Sequence, residues 1–299
     1  MIKKNTMTSR ITRNGWTLCI LILLVATGVS GQEKVFQTFK DTRVINAHSI
    51  ETIPAGKLDF RIGHRFGDIA GVSGGWPTFY GLENATDVMI GFEYGVTDNM
   101  MIGINRAKGA GPLRQNVNFL TKMRIISQEH GGSKPFSLTF LAMGTGSTMP
   151  KSNTEGVLNF FEKTAHRFSY HMQLIAGKKF SDYFSWQFSA GWTYRNIVPS
   201  NDKNDLVSLG SAMRIQMTKS MGFIIDATVP ISELRTPDNG YYPALGIGLE
   251  WETGGGHVFQ LNFTNATGLS ETDYIPYTQS NWLDGEFRMG FTISRLFTI

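Results

Sequence analysis

The chain of 299 residues is 41% hydrophobic, 12% aromatic and only 17% charged, with 33 glycines against 10 prolines. A charged fraction well below the usual quarter, in so apolar a chain, excludes intrinsic disorder. The net charge of +4 is carried by Lys3, Lys4, Arg10 and Arg13, since the 28 basic residues less these four equal the 24 acidic ones. A polyanion-binding body, for nucleic acid above all, therefore has no electrostatic footing.

Residues 1–31 have the layout of a secretory signal peptide: a basic start, an apolar run from Leu18 to Ala26, and the small residues Val29, Ser30 and Gly31 before Gln32. That run is too short for a membrane-spanning helix, which needs about 20 residues. The one cysteine, Cys19, lies inside this leader. The mature chain then has no disulfide or thiol chemistry, and its stability outside the cell must come from a large hydrogen-bonded architecture. No later segment is a continuous apolar helix candidate, so any membrane crossing is made by strands.

From residue 57 onward one pattern recurs: stretches of about ten residues alternate apolar with polar or small positions, the length of a tilted membrane strand. Helical spacing appears nowhere. In 57–66, Leu58, Phe60, Ile62 and Phe66 oppose Lys57, Asp59, Arg61 and Arg65; in 184–195, Phe184, Trp186, Phe188, Ala190, Trp192 and Tyr194 oppose Ser185, Gln187, Ser189, Gly191, Thr193 and Arg195. Twelve such stretches are expected, at about 57–66, 87–96, 100–107, 115–126, 135–144, 167–178, 184–195, 206–217, 222–231, 242–252, 257–266 and 286–299. Connections after the even-numbered stretches are short, such as Thr97-Asp98-Asn99, and most others are long, notably 67–86, 145–166 and 267–285. Short turns on one rim and long loops on the other are the layout of an outer-membrane barrel with both termini on the periplasmic side.

The fold expected is therefore all-β: a transmembrane, antiparallel up-and-down β-barrel of about twelve strands over 57–299, after a signal peptide at 1–31 and a periplasmic N-terminal segment at 32–56. That segment lies in the periplasm or tucks into the lumen, where Val44, Ile45 and Ile50 would find apolar cover; docking of a periplasmic partner is the alternative. A soluble sandwich would bury its apolar face, charge its exterior and show no such rim asymmetry. In hydrocarbon a sheet must close so that every backbone donor is paired. Phe287, Met289, Phe291, Ile293, Phe297 and Ile299 alternate to the end of the chain, which resembles the C-terminal assembly signal of outer-membrane barrels, with Ile in place of the usual Phe.

Val44 to Ile53 and Leu58 to Gly67, the run His64-Arg65-Phe66-Gly67 above all, resemble an uncharacterised outer-membrane β-barrel family of Bacteroidota. The resemblance spans the mature chain and implies a barrel, an outer-membrane address and a bacterial source. It carries no activity and no catalytic residue.

Alternation assigns to the lumen Lys57, Asp59, Arg61, Arg65, Glu93, Asn105, Lys122, Arg124, His171, Gln173, Arg195, Arg214, Asp226, Glu250, Glu252, Gln260, Asn262, Glu286 and Arg288. The candidate functional groups among them are Arg61, Arg65, Glu93, Lys122, Arg124, Arg214, Glu250 and Arg288. They either line a polar conduit or pair across a narrow bore. The cluster of Lys57, Arg61, Arg65, Lys122 and Arg124 is the sharpest selectivity feature, although Glu93 on the intervening strand would neutralise it by pairing.

His64 falls on the apolar face at headgroup depth, an amphipathic interfacial place. A lipid hydrolase on the outer wall would need a hydroxyl nucleophile with a base in reach, and no such local motif occurs. The six histidines are scattered, and Asn201 to Asp205 has a central Lys203 and no closing Glu, so no metal site is expected. Trp76, Phe79, Tyr80, Phe160, Phe161, Tyr274, Tyr277 and Trp282 lie in long loops, where such rings fold on each other, plug the mouth or form a platform. The lead function is a channel or solute-binding pore of the outer membrane, not an enzyme and without cofactor. Its partners are outer-membrane lipid and a small solute. The alternative is a non-conducting barrel that recruits a periplasmic or surface protein partner, and a lipid hydrolase ranks third.

Overall fold

The computed structural model describes residues 33–299, so the signal peptide expected at 1–31 lies outside the described residues. A small hairpin, β1 (Arg43–Val44) and β2 (Ala47–His48), precedes β3 (Lys57–Phe66), β4 (Ala85–Thr97), β5 (Met100–Ala107), β6 (Asn116–Ile126), β7 (Ser137–Ser147) and β8 (Phe168–Lys179). There follow β9 (Phe184–Arg195), β10 (Asp205–Gln216), β11 (Met221–Ile231), β12 (Ala244–Thr253), β13 (His257–Thr264) and β14 (Arg288–Thr298). Strands β3 to β14 pair with their chain neighbours, and β14 closes on β3 from Gly290↔Arg65 to Thr298↔Lys57, giving a closed barrel. All twelve expected stretches are strands. The largest displacement is in β7, which continues to Ser147 where the pattern ends at 144.

Alternation sets the facing because successive side chains leave a strand on opposite sides. In β9 Ser185, Gln187, Thr193 and Arg195 are buried while Phe188 and Trp192 are exposed on the outer wall. The outer surface is a belt of Phe, Ile, Leu, Met, Trp and Tyr, as a lipid-facing wall requires. This closed, greasy-walled sheet is an outer-membrane barrel.

Three features depart from the alternating pattern. The helix α1 (Glu271–Tyr277) lies in the last long loop, where no helix is expected. It is less than two turns long and Glu271 through Pro276 are all buried, so it has no solvent-exposed face and leaves no helical period in the sequence. Glu286, assigned to the last strand, instead stands in the loop before Arg288 and accepts the Asn281 backbone N–H at 2.8 Å. The third feature is residues 34–56: of the two placements open to them, they take the lumen.

Candidate functional site

The N-terminal segment enters at the short-turn rim, where Lys34 bridges Glu129 and the Val35 N–H donates to the Gln128 carbonyl at 2.9 Å. It rises into the bore, reverses at the β1–β2 hairpin and descends to Lys57. Phe39, Val44, Ile45 and Ile50 pack on the inward-facing Ile175, Ala212 and Ile224, and Ile53 packs on Met101, Leu120, Leu141 and Met143. The barrel thus supplies apolar wall where the segment is apolar.

One carboxylate grips the tip of the hairpin. Asp226 accepts the backbone N–H groups of Asn46 and Ala47 at 2.7 and 2.8 Å and the Asn46 side-chain amide at 2.8 Å. Ile45 has φ of 54°, a left-handed conformation costly for a β-branched residue. Its buried side chain and its N–H bond to Gln260 at 3.3 Å offset that strain.

Five of the eight candidate residues meet this plug. Arg61 forks onto Asp41, reaches Asp59 at 2.9 Å and stands 4.0 Å from Glu93. The Lys122 ammonium donates to the carbonyls of Thr42, Ser49 and Glu51 at 2.9, 3.0 and 3.0 Å. Arg124 pairs with Glu51 at 2.7 Å, Arg65 donates to the Asn46 side-chain oxygen at 2.7 Å, and Glu93 accepts from the Thr42 hydroxyl at 2.9 Å. Of the other three, Arg214 and Glu250 form a buried ion pair on the wall, and Arg288 donates to the Asn265 carbonyl and the Ser280 hydroxyl. Of the basic cluster, Arg61 and Arg124 are paired, with Asp41 and Glu51 of the plug and with Asp59, and only marginally with Glu93, whereas Lys57, Arg65 and Lys122 donate to hydroxyl, amide and carbonyl oxygens. Sequence reasoning missed Asp41, Arg43, His48 and Glu51, since it left open whether residues 32–56 lie inside. It also missed Asp87, which accepts the N–H groups of Gly109 and Leu269 at 2.8 Å each.

The last loop fills the bore from the opposite rim. Tyr274 and Ile275 of α1 pack on Leu206, Ala244 and Ala266. Thr272 meets Thr145 at 2.9 Å, and Asp273 accepts the Ala110 N–H at 2.7 Å. Plug and helix touch at Arg43, which pairs with Glu271 at 3.2 Å, and at His48, whose Nε2 is 3.7 Å from the same carboxylate oxygen. Of the loop aromatics, Tyr274 plugs the mouth, Trp282 stacks on Phe287 with centroids 4.7 Å apart, and Trp76 lies edge-on to Phe79 and Tyr80 on the surface. His64 stacks on Phe291 at 5.3 Å on the outer wall.

Plug and helix respond oppositely to acid. Burial, then the charges of Arg43, Lys122, Arg61 and His171, hold His48 well below its ordinary value, so a released plug takes up a proton more readily than a docked one. Its contribution to docking is complete above about pH 6.5 and falls as the pH drops below that. Burial, then the nearby Asp87, raises Asp273 to about 7, so the docked helix binds a proton more readily than a freed one and tightens over the same range. Hydrogen-exchange protection, compared at pH 7 and pH 5, should fall over 43–50 and rise over 271–277; parallel changes would contradict this assignment.

No curated protein matches the chain. Among solved structures it is similar to the KdgM porin (TM-score 0.48, 7% identity, covering 80% of this chain and 98% of that one). It is also similar to an outer-membrane channel of Pseudomonas putida F1 (TM-score 0.48, 11% identity, 83% and 98%) and to the NanC porin (TM-score 0.46, 7% identity, 81% and 99%). These likenesses are too remote to transfer a solute or a mechanism. The family described as "Membrane bound beta barrel domain (DUF5777)" matches residues 39–297, from inside the plug to the end of the last strand, and the chain belongs to that family.

Proposed function

We propose that the protein is an outer-membrane channel for a small solute, closed at rest by its own N-terminal segment, with no enzymatic step. The observation that carries this reading is the nature of the plug's attachments. Most are hydrogen bonds and ion pairs to wall groups, such as Lys122, Arg124 and Asp226, whose places water can take. The strand ladder closes without the plug. A core evolved only to be solid would put apolar side chains at those wall positions, because buried ion pairs add little over well-packed hydrocarbon. A Bacteroidota source remains part of this reading, on the residues that carry the resemblance.

Planar-bilayer recordings of the mature chain test it. The wild type should stay mostly closed, and Asp41→Ala with Glu51→Ala should raise the open fraction about tenfold or more, since each removes a charge-assisted anchor. Silence in both forms, with the barrel folded, would leave the non-conducting, partner-recruiting barrel.

A further inference from the structure

Outside the plugged bore, on the long-loop rim, a depression of about 460 Å3 lies among the loops 108–115, 196–204, 232–243 and 265–287. One of its lining residues, Asp202, is held by two arginines that stand outside the lining. Arg235 forks onto both oxygens of Asp202 at 2.5 Å each, and Arg195 reaches the same carboxylate at 2.8 Å. The three side chains are only 1%, 3% and 2% exposed. Each guanidinium also lies 5.6 Å from a tyrosine ring, Arg235 by Tyr241 and Arg195 by Tyr277. Although burial opposes its ionisation, the hydrogen bonds of Arg235 and Arg195 hold the Asp202 carboxyl at about 2. Two cations face one anion there, which leaves a net positive charge in a partly desolvated place.

A third cation, Arg114, lines the depression from the opposite loop and makes no ion pair among the described residues. Tyr241 and Tyr277 also line it, as do the amides of Asn201 and Gln279. Planar forks select planar, two-oxygen anions, as Asp202 itself demonstrates in place. Flat rings and amide groups around such a fork suit a hydroxylated ring, and the volume falls within the range of small-molecule sites.

We propose that this outer vestibule binds a hydroxylated monocarboxylate of sugar size, a sugar acid, with its carboxylate on Arg114 and its ring against Tyr241 and Tyr277. Asp202 lines the depression beside that anchor, its charge offset by Arg195 and Arg235, which hold the carboxylate from outside the lining. The vestibule's part in loading a permeating solute rests on the channel reading; binding itself does not.

Calorimetric titration of the full mature chain in detergent, with glucuronate as probe, tests the site. Glucuronate should bind at least about tenfold more tightly than glucose, the worth of one charge-assisted contact. Arg114→Gln, at an exposed position, should abolish that preference, and Asp202→Asn should strengthen glucuronate by removing the one local anion. Equal binding of glucose, indifference to Arg114→Gln, or stronger binding of glucose 6-phosphate would overturn the assignment. A silent barrel that still binds glucuronate would remove the channel and leave the site; a conducting barrel that ignores glucuronate would do the reverse.

Discussion

Deleting residues 37–53 should convert a closed barrel into a steadily conducting one. The ladder from β3 to β14 does not include these residues, so every strand keeps both neighbours. Wall pairs that owe nothing to the plug also survive: Arg61 keeps Asp59 and Arg214 keeps Glu250. Lys122 and Asp226 lose their plug partners, but in a bore open to water they are solvated and not stranded. Glu271 loses Arg43 and is likewise left to water, so α1 loses its inner support. The cost falls on apolar wall. Ile175, Ile224 and Leu141, covered by Ile50, Ile53 and their neighbours, become wetted at about 1.5–3 kcal/mol per fully exposed side chain, and the melting temperature should fall accordingly. Bilayer conductance and thermal unfolding of the deletion variant measure the two effects together. A folded barrel that remains silent would show that the bore is sealed by the wall itself.

The second large effect belongs to the lipid face. Ala190 in β9 stands between Leu174 of β8 and Leu209 of β10, both about half exposed on the outer wall at mid-depth. Ala190→Arg should cost about 2–4 kcal/mol of folding free energy in lipid vesicles, while Ala190→Leu should be nearly neutral. Charges already present in the outward rows lie near the ends: Arg295, over the ring of Phe297 at 4.7 Å, and Asp205, opposite Tyr194. Gln187 lies on the inner face of the same strand and is tied to the plug. Its side chain donates to the His48 carbonyl at 2.8 Å and accepts the Ile50 N–H at 3.1 Å, so Gln187→Arg should loosen the plug without disturbing insertion. Equal costs for Ala190→Arg and Ala190→Leu would mean that this row does not face lipid.

Much of this molecule was legible without coordinates because the information is local. Period-two alternation in β9 and β3 defines which side chain faces lipid, and the contrast between Thr97-Asp98-Asn99 and the long loops sorts the rims. Closure follows because an unpaired edge is intolerable in hydrocarbon. The polar lumen row, from Arg61 and Lys122 to Glu250, is the same alternation read from the other side. A signal for the plug was also present: Leu141, Ile175 and Ile224 occupy lumen positions, and an apolar side chain there needs apolar cover from within. What only the tertiary structure decided is who pairs with whom. Lys122 meets carbonyls 71 to 80 residues away and Arg43 meets Glu271 across 228 residues. No local pattern encodes such contacts, because a loop or an N-terminal segment acquires its partners only when the closed wall brings distant strands around it. The helix α1 was hidden for a related reason: buried on every side by the barrel, it had no solvent face to write a period into the sequence.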